Sequence, residues 1–231
     1  MATTLVLLPG LLCDETAWAP QIAAFGEERT ILVADFRGQD SFDDMAERVL
    51  ALAPDRFALA GHSMGGRVAL EVMRRAPARV ERLALLSTGV HPLLPGEAEK
   101  RTALIDLANR DGIRALAEQW IPPVLHPSRR AEKELVDPLI EMWCRCSPAD
   151  HEGQIKAALK RRDARDVLPG LSCPTLVLGG ADDPWAPADS QRAIAAEIPG
   201  AVLALIPDCG HMAAVERPEA VTGHMRNWLG N

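Results

Sequence analysis

Six short apolar runs alternate with amphipathic stretches along most of this chain, and no other feature narrows its fold as much. Runs rich in Val, Leu and Ile occupy positions 4–8, 30–34, 57–60, 83–86, 175–178 and 202–206. Each has the length and the apolar, β-branched character of a buried strand. Between them, apolar residues recur at helical spacing over 15–25, 42–52, 64–75, 188–198 and 218–229. Pro187 and Pro218 stand where a helix should begin, a place proline tolerates because the first-turn N–H has no partner there. Strands that are apolar throughout, alternating with helices, predict a three-layer α/β fold: a parallel, doubly wound sheet covered on both faces.

The alternation breaks once. Positions 91–165 contain no strand pattern but four helical ones, at 97–109, 113–120, 132–146 and 152–162. Leu116, Trp120, Leu139, Trp143 and Leu159 give these helices apolar faces that need burial, which excludes a disordered linker. The expected organisation is a core from 1–90 and 166–231, interrupted after the fourth strand by a helical lid, or cap, from 91–165. A chain of 231 residues is long enough for one such core.

A net charge of −7 argues against nucleic acid or an anionic membrane as partner. The longest apolar runs are too short to span a bilayer, and the first residues lack a basic leader, so the expected location is cytoplasmic. Five cysteines at irregular spacing suit reduced thiols rather than a disulfide framework. Cys144 and Cys146, the only close pair, have no second pair or histidine at zinc spacing, so no metal is expected.

Chemistry concentrates where the third strand hands over to a helix. Gly61-His62-Ser63-Met64-Gly65 fits G-x-S-x-G, with Gly66 following. A serine on so sharp a turn presents its Oγ beyond the sheet edge. The positions two residues to either side approach too closely for side chains, and the new helix aims its positive end at the site. A phosphate loop would need a lysine that is not there. Because a free hydroxyl is a poor nucleophile, such a serine needs a base and an acid that orients the base. His211 lies just past the sixth strand, at the end of the sheet where α/β proteins build their sites. His91, His126, His151 and His224 are read as solvated. Asp182 and Asp183 both follow the fifth strand and both have the required chemistry.

From "LVLLPG" through the elbow to "GHMAAVERPEAV", nearly the whole chain resembles the α/β-hydrolase superfamily. The likeness is to its branch of small carboxylesterases, pimeloyl-ester esterases, enol-lactonases and carbon–carbon bond hydrolases. The order Ser63, Asp, His211 is the family's order. Its G-x-x-D-x-x-x-P frame, matched by Gly180 to Pro187, selects Asp183, with Asp182 as the alternative. Three departures stand out. Pro9-Gly10 replaces the usual His-Gly of the oxyanion loop, which removes a support of that loop. "DFRGQDS" at 35–41 shortens another segment, and the first two strands of larger relatives are missing. Six strands in the order 2-1-3-4-5-6 would then set strands 1 and 3 side by side, so that the backbone N–H groups of Leu11 and Met64 converge as an oxyanion hole.

The resemblance implies a serine hydrolase that cleaves a small-molecule carboxylic ester through an acyl-enzyme. Lactones or carbon–carbon bonds are alternative targets of the same residues, and a non-catalytic binder on this fold is an alternative of another class. No cofactor is expected. Trp120, Trp143 and Trp185 are candidates to line the substrate pocket. Arg37, Arg67, Arg145 and Arg165 are potential carboxylate binders, though each reads first as a solvated charge. Oligomeric state is left open.

Overall fold

The computed structural model describes residues 2–230; Met1 and Asn231, the outer ends of the expected core, lie outside the described residues. The strands are β1 (Leu5–Leu8), β2 (Ile31–Val33), β3 (Phe57–His62), β4 (Val80–Leu86), β5 (Thr175–Gly180) and β6 (Val202–Ile206). They form one sheet in the order β2-β1-β3-β4-β5-β6, as expected, with every neighbouring pair parallel. β1 therefore lies one place in from an edge; β2 completes that edge, and the chain then returns across β1 to build the rest of the sheet with β3 to β6. Leu7 pairs with Ala60 and Leu8 with Gly61, so the carboxyl ends of β1 and β3 are adjacent.

Alternate residues of each strand serve opposite layers. Leu5, Leu7, Ala58 and Ala60 face α1 (Ala19–Phe25), α8 (Ala213–Glu216) and α9 (Pro218–Leu229), whose Phe25, Val221 and Met225 share their cluster. Val6, Leu8 and Leu59 face α2 (Phe42–Leu52), α3 (Met64–Arg75) and α7 (Ala188–Glu197) through Met45, Val49, Val68, Val72 and Ile194. Each fully buried Leu, Val or Phe contributes about 1.5–3 kcal/mol relative to exposure. Val202 is exposed because β6 is an edge strand with no neighbour beyond it.

Between β4 and β5 the chain inserts α4 (Glu97–Val124), α5 (Lys133–Cys144) and α6 (Pro148–Leu159). Two predicted helices fuse into α4, broken only at Gly112, whose φ of 85° is open to glycine. α6 begins a turn earlier than its apolar pattern suggests. Ser147 and Asp150 form a reciprocal capping box, and Pro148 sits in the first turn where its missing N–H costs nothing. The expected helix at 15–25 divides into a 3-10 turn, Glu15–Trp18, and α1. Pro20 explains the break, since it has no N–H to give to the carbonyl of Thr16. Leu116, Leu139 and Trp143 are buried as their spacing requires. Among the described residues, no helix is long and apolar enough to cross a membrane.

Candidate active site

Ser63 stands between β3 and α3 with φ 53° and ψ −113°, a conformation that costs an L-residue roughly 1–3 kcal/mol. Its neighbours show what holds it there. A Cβ on Gly65 would lie 2.2 Å from the Leu8 carbonyl, and one on Gly61 would lie 2.4 Å from that of Gly65. Side chains at either position would force strand and helix apart. The Ser63 N–H donates to the Leu86 carbonyl at 2.9 Å, while the Thr88 hydroxyl donates to the Ser63 carbonyl at 2.7 Å. The turn is thus fixed from β4 as well as by its own chain.

The structure brings the three side chains singled out in the sequence into one line. His211 Nε2 is 2.9 Å from Ser63 Oγ, and His211 Nδ1 is 2.8 Å from Asp183 Oδ2. Asp183 Oδ1 accepts the N–H groups of Trp185 at 2.8 Å and Ala186 at 2.9 Å. Burial pushes the Asp183 carboxyl upward, but the His211 imidazole and these N–H donors outweigh it and hold Asp183 below the usual carboxylate range. An ionised Asp183 accepts from Nδ1–H, which leaves Nε2 bare and able to take a proton from Ser63. Asp182 points elsewhere: its half-exposed carboxylate lies 3.8 Å from His126 Nε2.

His211 is anchored on several sides. Its N–H donates to the Val124 carbonyl at 2.8 Å, so the end of α4 grips the loop. Its carbonyl accepts from His62 Nε2 at 2.9 Å. Burial, with the neighbouring His211 imidazole, pulls His62 down to about 3, so it stays neutral. Glu216, 1% exposed, accepts the N–H groups of Gly210 at 3.1 Å, Met212 at 3.0 Å and His126 at 2.8 Å. One carboxylate thereby clamps both flanks of His211 and the chain leaving α4. No local pattern marks Glu216, because its role depends on the loop at Gly210 and Met212 folding back onto it and on His126 arriving from the insertion.

Beside the serine, β1 ends in the turn Pro9-Gly10-Leu11-Leu12-Cys13, closed by the Cys13 N–H on the Gly10 carbonyl. Leu12 has a positive φ of 54°, and its N–H donates to Gln154 Oε1 at 2.8 Å. Gln154, buried on α6, also donates to the Phe36 carbonyl at 3.3 Å. Here is a support for a loop that lacks the usual histidine, and it too escaped the sequence. The N–H groups of Leu11 and Met64 donate to no acceptor among the described residues, and both residues line the cleft with Ser63.

Two cavities meet at Ser63, His211, Leu11 and Trp185. The smaller, about 30 Å³, is closed by apolar groups including Ile121, Leu139, Met142 and Trp143. The larger, about 510 Å³, opens past Trp120 and Trp185 toward Arg67, Lys100, Arg101 and Arg161. Trp185 packs 5.0 Å from the His211 ring and 4.7 Å from Trp120, so the tryptophans form the lip between the two. Cys13 also faces the smaller cavity, but burial pushes its thiol up to about 12, which removes it as a rival nucleophile.

Two expectations about charge are corrected. Arg37, Arg145 and Arg165 pair with Asp35, Asp14 and Asp163 at the surface, but Arg67 is half-buried in the larger cavity. Burial, with Arg161 nearby, draws it down to about 9. Its place one turn beyond the elbow turns it inward. His151, read as solvated, is 1% exposed on the inner side of α6, where burial draws it down to about 4.

Comparison with known proteins agrees with this architecture. The pattern of the alpha/beta hydrolase family matches residues 5–223. A thermophilic esterase from Thermogutta terrifontis, solved with malate bound, superposes with a TM-score of 0.91 at 31% identity, over 100% of this chain and 90% of that one. The enol-lactonase of Burkholderia xenovorans LB400 gives 0.90 at 26%, over 100% and 92%. RutD of Rhizobium rhizogenes, whose name carries a provisional carbamate hydrolase assignment, is 28% identical over 250 residues, covering 99% of this chain and 93% of that protein.

Proposed function

The chain belongs to the alpha/beta hydrolase family, and on that premise we propose that it is a serine hydrolase cleaving small-molecule carboxylic esters through an acyl-enzyme. The unbroken contact from Ser63 to His211 to Asp183, with the far side of Asp183 occupied by two backbone donors, carries this reading. Ser63 Oγ attacks the ester carbonyl as His211 Nε2 takes its proton, and Asp183 stabilises the imidazolium. The N–H groups of Leu11 and Met64, which have no acceptor among the described residues, receive the oxyanion; each such donor is worth about 3–4 kcal/mol in the transition state. His211 then returns its proton to the leaving alcohol, and a water it deprotonates releases the acid.

The insertion at 91–165 acts as a cap that closes the apolar side of the site and restricts substrate choice. Likeness to an enol-lactonase supports a lactone, which is a cyclic ester, as a second target of the same residues. Five unpaired cysteines suit a reducing compartment such as the cytoplasm. A fluorophosphonate probe tests the core of this reading. It should label wild-type protein at Ser63 and leave Ser63→Ala unlabelled, with p-nitrophenyl acetate hydrolysis lost in parallel. Folded wild-type protein that neither labels nor hydrolyses would instead be a ligand-binding protein on this fold.

A further inference from the structure

The larger cavity is cationic in a chain whose net charge is −7. Its lining includes Arg67, Lys100, Arg101 and Arg161 but a single carboxylate, Glu97. Glu97 is already shared, with Oε1 on Arg101 at 2.8 Å and Oε2 on Arg161. Arg161 is spent on structure: it also donates to the carbonyls of His91, Pro92 and Ala158. Arg67 is not. Among the described residues its guanidinium makes one hydrogen bond, from Nη1 to the His91 carbonyl at 3.0 Å, and has no carboxylate partner. A Cβ on Gly89 would stand 3.0 Å from Arg67 Nη2, so the glycine leaves room for the guanidinium. Its remaining donors open into the cavity, where an anion would gain a charge-assisted hydrogen bond stronger than the one water offers.

We propose, building on the hydrolase reading above, that Arg67 binds a carboxylate on the substrate, at the end of the cleft away from the scissile ester. Arg67 follows Ser63 by one turn of α3, so the same rigid turn places nucleophile and anchor. Lys100 and Arg101 add field from α4. The 30 Å³ apolar cavity on the other side of Ser63 has space for only a few atoms of methyl size. The substrate class is therefore an ester with a small apolar group on one side and a carboxylate-bearing arm on the other.

Monomethyl and dimethyl esters of the linear diacids from malonic to pimelic acid provide the test, followed by pH-stat with intact protein. For at least one chain length, wild-type kcat/KM should favour the monoacid by about 10- to 100-fold, the range of a charge-assisted pair. Arg67→Gln should collapse that ratio toward unity, chiefly through KM, and Arg67→Lys should restore part of it. On wild-type protein alone, the free diacid of the preferred length should inhibit p-nitrophenyl acetate hydrolysis more tightly than its diamide. That comparison decides the matter if Arg67→Gln does not fold. Hydrolysis without charge preference at every length, or a ratio unmoved in folded Arg67→Gln, overturns the proposal and leaves the esterase intact. Absence of all hydrolysis and of fluorophosphonate labelling removes both.

Discussion

Replacing Asp183 by Asn separates the orienting role of the carboxylate from its shape. Asp183 meets three donors: the N–H groups of Trp185 and Ala186 on Oδ1, and His211 Nδ1–H on Oδ2. An asparagine has one oxygen and one NH2 for the same three. With the oxygen toward Trp185 and Ala186, its NH2 faces His211 and requires a bare Nδ1. The imidazole proton then sits on Nε2, pointing at Ser63, and the base is blocked. With the amide flipped, His211 keeps the useful tautomer, but the part-buried Trp185 N–H and the buried Ala186 N–H lose their acceptor at about 1–3 kcal/mol each. The productive arrangement thus lies about 2–6 kcal/mol above the blocked one, so kcat should fall between about 30-fold and about 10⁴-fold. Stopped-flow or steady-state hydrolysis of p-nitrophenyl acetate measures this, with Asp182→Asn as the control expected to keep wild-type kcat. Asp183→Asn retaining more than a third of kcat, or Asp182→Asn showing the loss instead, would refute the assignment.

Glu216→Ala should cost about 3 kcal/mol or more in urea unfolding, because it strands the N–H groups of Gly210, Met212 and His126 together. Glu216→Gln, which keeps one acceptor oxygen, should cost less; a stability of Glu216→Ala within 1 kcal/mol of wild type (roughly the value of one ordinary hydrogen bond) would show that the clamp is idle. Acid should weaken the fold before carboxylates titrate. His62 and His151 have folded values of about 3 and about 4, below their ordinary 6.5, so between these limits the unfolded chain binds protons the native one refuses. Stability then rises with pH across that window and is lost on descent through it. At pH 5 each histidine costs about 2 kcal/mol relative to pH 7.5. His151→Gln should remove about half of that difference, and an unchanged difference would exclude His151 as a source.

Why the fold was readable so early is a matter of interleaving. All-apolar runs such as Leu5–Leu8 can be satisfied only by cover on both faces, and each except the fourth, where the insertion enters, is followed by a helix that supplies cover. Errors fell where single residues govern ends: Pro20 splitting a helix, Ser147 and Asp150 starting one early. The members of the candidate site could be named because each follows a strand's carboxyl end, where a parallel sheet gathers its loops. Arg67 was misjudged for a different reason. Its helical position is clear from sequence, but whether that face meets water or the insertion depends on how α4 and α6 pack.

Sequence alone determined the alternation of elements, the strained turn at Ser63 and the residue types able to move a proton, because those depend on spacing and local sterics. Tertiary structure showed that Asp183, the aspartate selected by the family frame, is the one that reaches His211, and it alone decided that Gln154 and Glu216 support the loops beside it. It also decided that Arg67 faces a cavity whose single carboxylate, Glu97, is bonded to Arg101 and Arg161. Hydrogen bonds and desolvation act over a few ångströms, and side chains from different strand ends and from the insertion come that close only once the sheet has assembled.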